Sequence, residues 1–173
     1  MFGTAKSILK RDPAARSLIS VILTYPGLHA LAYHRVSHWL HNHHFFLLSA
    51  VVARLSAKRT GINISPGAII GRRVFIDHGI GVVIGETAVI EDDVTILHGV
   101  TLGARGIIGS RKAPRHPHVE HHTFIGAHAQ ILGPITLGSY SKVGANAVVI
   151  NDVPIHTTAV GNPARLVTVK ASD

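Results

Sequence analysis

An aliphatic or small residue returns at every sixth position over most of this chain. Stepping by six from Ile64 meets Ile70, Ile76, Val82, Ala88, Val94 and Val100. Stepping from Val119 meets Ile125, Ile131, Leu137, Val143, Val149 and Ile155. An α-helix asks for apolar residues every 3.6 positions and a half-buried strand for every second one. A sustained period of six satisfies neither. A short strand followed by a tight turn does: each hexapeptide makes one flat side of a coil and points its aliphatic residue at the axis. Gly71, Gly126, Gly138 and Gly144 each follow a periodic position, and glycine supplies turn conformations that bulky residues resist. Stacked coils hydrogen-bond to one another and bury a continuous aliphatic column. The period alone sets neither the number of sides nor the hand.

The beat breaks once, in "GVTLGARGIIGSRKAPRHP", Gly99 to Pro117. The second series is one residue out of phase with the first. Roughly 13 residues, Gly106 to His118, are therefore expected to leave the coil, within an extended loop at about 104–118. Loops held on a rigid scaffold are where binding groups tend to sit.

Residues 1–61 have helical spacing instead. "PAARSLISVILTY" suggests a helix with Asp12 as N-cap and Pro13 in its first turn. "PGLHALAYHRVSHWLHNHH" and "FFLLSAVVARLSAKRTG", ending at Gly61, suggest two more. About three helices are expected, packed on the first coils and covering the open end of the β-structure, whose unpaired edge would otherwise invite aggregation. The chain divides into a helical segment (1–61), a repeat domain (62–167) and a tail (168–173). His29, His34, His38, His41, His43 and His44 have no acidic or cysteine neighbour, so they read as surface or interface residues and no metal site is expected.

The net charge is +8 with histidines neutral, but only 5% of residues are aromatic and no helix-turn-helix or zinc-finger spacing is present. Nucleic-acid binding is therefore not expected, while a polyanionic small molecule suits the charge. There is no cysteine, which excludes disulfides and thiol catalysis and allows a reducing compartment. The N-terminal residues lack a signal-peptide core. The longest apolar run, "FFLLSAVVARL", contains Arg54 and is too short to span a bilayer. The expectation is a cytoplasmic protein without a membrane partner.

Chemistry concentrates in "FIDHGIGVVIGET". Asp77 and His78 fall at a coil corner, followed by Gly79 and Gly81, which would leave room for a ligand. Histidine is the usual acceptor of a hydroxyl proton. The same Asp–His pair could also do no more than tie a turn.

Six stretches carry a family likeness: "RDPAARS", "YPGLHALAYHRVSHWL", "TGINISPGAIIGRRVFIDHGIGVVIGETAVIEDDVTILHGVTLG", "RHP", "IGAHAQILGPITLG" and "VGNPARLV". On these the chain resembles the serine O-acetyltransferases of cysteine biosynthesis, hexapeptide-repeat acyltransferases. The resemblance implies a mainly β fold: a left-handed parallel β-helix of triangular section with a short N-terminal α-helical segment. That hand opposes the usual right-handed crossover. It implies acetyl transfer from acetyl-CoA, as co-substrate, to L-serine. By matching position, His78 would be the general base. Asp12 and Asp77 would hold the amino group or order the site, and Arg115 and His116 would bind the carboxylate. Gly103, Ala104, Ala127 and Lys142 match the CoA-contact region. The resemblance also implies a homotrimer and leaves open whether two trimers pair.

Three departures stand out. Asn63 occupies the position where the family carries an acidic residue that supports the histidine base. "LGARGIIGSRKAPRHP" replaces a shorter, glycine-rich path to "RHP". The chain ends "VKASD" without the terminal isoleucine that docks into O-acetylserine sulfhydrylase, so a tight complex with that enzyme is not expected. Two alternatives remain: a hexapeptide acetyltransferase acting on a sugar or on another hydroxyl amino acid such as homoserine, and a non-catalytic β-helix scaffold.

Overall fold

The computed structural model describes residues 1–106 and 113–167; the middle of the loop and the tail at 168–173 lie outside them. The chain folds as a left-handed parallel β-helix preceded by four helices. The helices are α1 (Phe2–Arg11), α2 (Leu18–Thr24), α3 (Pro26–Asn42) and α4 (Phe46–Thr60). The strands, two or three residues each, build three faces. Face A stacks β1 (Asn63–Ile64), β4 (Val83–Ile84), β7 (Thr101–Gly103), β10 (Gln130–Leu132) and β13 (Val148–Val149). Face B stacks β2 (Ile69–Ile70), β5 (Val89–Ile90), β8 (His118–Val119) and β11 (Thr136–Leu137). Face C stacks β3 (Phe75–Ile76), β6 (Thr95–Ile96), β9 (Phe124–Ile125), β12 (Lys142–Val143) and β14 (Thr158–Val160), and β15 (Arg165–Val167) folds back antiparallel on β14.

Each face sends two residues inward, two positions apart: Ile62 and Ile64, Ala68 and Ile70, Val74 and Ile76, and so on up the column, all buried. Counting by six follows one of these two rows at a time, which conceals a second break in the rhythm. Strands of neighbouring coils pair 18 residues apart in the regular part, as Val83 with Thr101. In the first coil they pair 20 apart, as Asn63 with Val83. Two extra residues therefore sit in the turn Asp77–Gly81, and the step from Ile76 to Val82 jumps from one inward row to the other. Through the first two coils both rows are aliphatic, from Ile62 to Ile96, so the beat hides the insertion; only higher up do Thr123 and Ser141 enter one row. At the long break Val89 pairs with His118, 29 apart, a step 11 residues longer than the regular one; the middle of that segment lies outside the described residues. The last coil is two residues short, with Leu137 bridging Val153. Val153 consequently takes the inward place and Ile155, the final member of the six-step series, is 62% exposed.

The helical segment also differs from expectation. Asp12 is not an N-cap: it is the C-cap of α1, in extended conformation. The cap of α2 is Ser17, whose hydroxyl accepts the Ser20 N–H at 3.1 Å. The string "RDPAARS" separates two helices instead of opening one. His34 is buried rather than at the surface, and among the described residues neither of its ring nitrogens has a hydrogen-bond partner of good geometry. Burial pushes its pKa down to about 4, followed by the neighbouring charges of His38 and Arg35. Among the described residues, no group of three or more His, Cys, Asp or Glu could hold a metal ion, and no helix is long and apolar enough to cross a membrane.

Two contacts set where the helices sit. Ala5, Ile8, Val21 and Leu28 pack against Phe75, the outward residue of the first coil on face C, and form a small second core. Arg11 fastens the end of α1 to the prism by donating to the Asp93 carbonyl at 3.0 Å, to Thr95 Oγ1 at 3.2 Å and to the Arg73 carbonyl. Helix α3 lies directly on the first coil at Gly27, where a Cβ would stand 2.1 Å from the Ile76 carbonyl oxygen. Alanine favours a helix by only about 1 kcal/mol over glycine, and a backbone oxygen cannot step aside as a side-chain tip can. Gly27→Ala is expected to destabilise the protein by about 1–3 kcal/mol, read as a fall in the midpoint of thermal unfolding.

Candidate active site

The end of α1 delivers Asp12 to the corner between faces C and A. There Asp12, Ala14, Thr24, Tyr25, Pro26, Asp77 and His78 line a cleft of about 280 Å³. A second depression of about 360 Å³ shares Asp12 and Asp77 and continues past Thr95 and Leu97 to Phe124 on the third coil. Asp77 and His78 belong to the inserted turn. Many corners of this prism place a non-glycine residue at positive φ, among them Arg73, Asp93, His122 and Tyr140. In the inserted turn His78 and Gly79 do so consecutively, with φ of 54° and 72°. The glycines answer to the backbone rather than to ligand access: Gly79 and Gly81 both have positive φ, and a Cβ on Gly79 would strike the Ile62 side chain.

The inserted turn pushes the His78 side chain into the open, 79% exposed, with Nε2 3.8 Å from Asp77 Oδ1. That is an ion-pair distance, not a hydrogen bond. Asp12 is held more firmly. Its Oδ1 accepts the Ala14 N–H at 2.8 Å, and its Oδ2 accepts the Tyr25 hydroxyl at 2.5 Å. Asn63 lies on β1 at the same corner, its backbone N–H bonded to the Val82 carbonyl. Its exposed side chain makes no hydrogen bond to His78.

Arg115 and His116 lie elsewhere, at the corner between faces A and B. Thr87 organises them. Its Oγ1 accepts the backbone N–H groups of Arg115 (3.0 Å) and His116 (3.2 Å) and stands 2.8 Å from His116 Nδ1. His116 Nδ1 also accepts the Thr87 N–H at 3.1 Å. An Nδ1 that accepts assigns the proton of the neutral ring to Nε2. Burial, then the Arg115 charge, lowers the His116 pKa, which keeps it a neutral donor near pH 7. The imidazole lies against Gly85, where a Cβ would fall 2.0 Å from its Cδ2.

The predicted site residues thus form two groups at opposite ends of face A. Asp12, Asn63, Asp77 and His78 share one corner with Ala127 of the third coil, and Lys142 on β12 runs into that corner one coil higher. Arg115 and His116 share the other with Gly103 and Ala104, where the long loop leaves the prism. The five residues Gly81 to Gly85 bridge the two corners and span roughly 13 Å at extended rise. Tyr25 and Thr87 are polar residues of the two corners that no sequence pattern marks. A tyrosine before Pro-Gly and a threonine in a turn carry no chemical signal until their partners are known.

The family model "Bacterial transferase hexapeptide (six repeats)" matches residues 116–151. Among curated proteins the chain is 49% identical to a serine acetyltransferase of Mycobacterium tuberculosis, over 96% of this chain and 72% of that protein. It is 50% identical to one of Helicobacter pylori, over 93% of this chain and 92% of that protein. Among solved structures, the serine acetyltransferase of Neisseria gonorrhoeae superposes with a TM-score of 0.92 at 39% identity, covering 98% of this chain. This chain spans 65% of that chain's length. A serine acetyltransferase in complex with CoA superposes with a TM-score of 0.89 at 41% identity, over 95% of this chain and 66% of that one. With about half its residues shared over more than nine-tenths of its length, the chain belongs to the serine acetyltransferase family.

Proposed function

We propose that the protein is an acetyl-CoA-dependent serine O-acetyltransferase that makes O-acetylserine for cysteine biosynthesis, in the cytoplasm. The observation that carries this reading is the pairing of two carboxylates, Asp12 and Asp77, with the His78 imidazole around one small cleft. A cation such as an ammonium is what two close carboxylates attract, and an imidazole beside it accepts a proton from a neighbouring hydroxyl. Serine carries both groups. The cleft is smaller than the roughly 300–1,000 Å³ of drug-sized pockets.

In this scheme the serine ammonium lies between Asp12 and Asp77, and its carboxylate meets Arg115 and the Nε2–H of His116. His78 takes the hydroxyl proton while the oxygen attacks the thioester carbonyl of acetyl-CoA. The tetrahedral intermediate collapses, the C–S bond breaks, and the thiolate leaves with the proton from the imidazolium. Holding both substrates in line is a large part of the rate. Backbone N–H groups near Gly103 are candidates for the developing oxyanion.

Serine is only about 5 Å long, so one molecule cannot reach both corners of one chain. The scheme therefore requires the amine-binding corner of one copy to face the carboxylate-binding corner of another, which a cyclic homotrimer supplies. The CoA-contact residues divide the same way, Ala127 and Lys142 against Gly103 and Ala104. A thiol-release assay with acetyl-CoA, run with serine, homoserine and simple sugars, tests the reading. Serine is expected to be the best acceptor. Release with a sugar alone, or with nothing, would replace it.

Asn63 gives a further check. An amide cannot stabilise imidazolium as a carboxylate does, and in the serine-protease triad the Asp→Asn change costs about 10⁴ in turnover. Asp77 supplies charge at 3.8 Å but no hydrogen bond. Asn63→Asp is expected to raise kcat by about tenfold, a fraction of that effect. An unchanged pH–rate profile would mean that this position does not support the base.

A further inference from the structure

Two hydroxyls of the cleft, those of Thr24 and Tyr25, have no part in the acetyl-transfer scheme; Thr24 donates to the Ser20 carbonyl of its own helix. Tyr25 precedes α3, and its side chain crosses to the end of α1 to donate to Asp12 Oδ2. Its position is set by backbone packing. Pro26 begins the helix immediately after it, and Gly27 seats that helix on the Ile76 carbonyl. The hydrogen bond to Asp12, then burial, and then the Asp12 and Asp77 charges push the Tyr25 pKa up to about 12. The group is thus a donor over the whole neutral range and neither acid nor base. Asp12 and Asp77 line one cleft, and like charges there repel. A free Asp12 side chain would relieve that repulsion by turning towards solvent.

We propose that Tyr25 is a positioning residue for the amine end of the substrate: its hydroxyl, with the Ala14 N–H, holds the Asp12 carboxylate in the cleft against the repulsion of Asp77 and so sets selection for an α-amino acid. The proposal rests on the serine O-acetyltransferase reading. Each Asp12 oxygen is held by one donor and keeps a second lone pair for an incoming ammonium. Such preorganisation acts on substrate binding, because the carboxylate no longer has to be gathered in when the amine arrives.

The experiment is a double-mutant cycle in steady-state kinetics. Tyr25→Phe removes one oxygen and keeps the ring. It is expected to raise KM for serine by about tenfold, the lower end of what a hydrogen bond to a charged group contributes. KM for acetyl-CoA and kcat should stay within about twofold, since the Tyr25 hydroxyl donates to Asp12 and, among the described residues, makes no hydrogen bond to His78. In an Asp12→Asn background the same change should move KM for serine by less than about twofold, because the carboxylate it positions is gone. A packing role would instead give the same loss in both backgrounds, which overturns the proposal, as does a serine KM that Tyr25→Phe leaves unchanged in an otherwise wild-type enzyme. If the wild-type protein does not acetylate serine at all, the parent reading falls first and takes this one with it. That outcome is visible before any variant is made.

Discussion

His78→Ala is expected to lower kcat for serine acetylation by about 10³-fold, within the 10²–10⁴ that a positioned general base supplies, and to leave the fold intact. The second half of that statement follows from where His78 stands. Its side chain is 79% exposed and makes no hydrogen bond among the described residues, so little packing is lost. Alanine at φ 54° carries much the same backbone strain as the histidine it replaces. The melting temperature should therefore hold while turnover collapses. Thiol release at saturating serine and acetyl-CoA reads the first quantity and thermal unfolding the second. A variant that keeps its rate would remove the imidazole from the mechanism. One that loses rate and fold together would leave the two effects unseparated, and His78→Gln then supplies a polar side chain of similar reach without the base.

Mixing two inactive variants is expected to restore activity. His78→Ala disables the amine corner of a chain, and Arg115→Ala the carboxylate corner. If one serine bridges corners from two copies, a site works whenever an intact His78 from one chain meets an intact Arg115 from its neighbour. Random assembly of equal amounts makes that true of about one site in four in a cyclic trimer, so the mixture should recover roughly a quarter of wild-type activity. The argument is one of length. The corners lie roughly 13 Å apart along face A, and the substrate covers less than half of that. Co-expression with two different tags, followed by tandem purification, enriches mixed assemblies and raises the signal above either variant alone. No recovery in co-purified assemblies would mean that His78 and Arg115 of one chain serve the same site, and that the bridging between copies is wrong. Mass photometry of the same samples reads the copy number directly.

Much of the site was legible because its chemistry is local. Asp77 and His78 are adjacent and fall in a turn, and the glycines after them announce a turn whatever else is true. Arg115 and His116 were placed by family likeness, and the structure puts them on a Thr87 hydroxyl that no pattern of spacing reveals. Asp12 shows the opposite failure. Its sequence context, Asp-Pro followed by an apolar run, has the form of a helix start, yet it ends one helix and waits in a turn before the next. Local propensity could not distinguish the two, because what decides is the docking of α1 and α2 on Phe75 and the anchoring of Arg11 to the Asp93 and Arg73 carbonyls.

The six-residue rhythm by itself determined a coil of short strands around an aliphatic column; the three sides and the left hand came from the family likeness. It could not reveal the two-residue insertion at Asp77–Gly81, because inward positions two apart are both aliphatic and a slip between them costs the pattern nothing. The tertiary structure decided that this small slip, and not the long loop, swings the imidazole out of the wall and beside Asp12, and that Arg115 and the neutral His116 are held a whole face away. Sequence spacing measures distance along the chain, whereas a binding site is fixed by distance through space, and in a stacked coil the two are related only once the register of every turn is known.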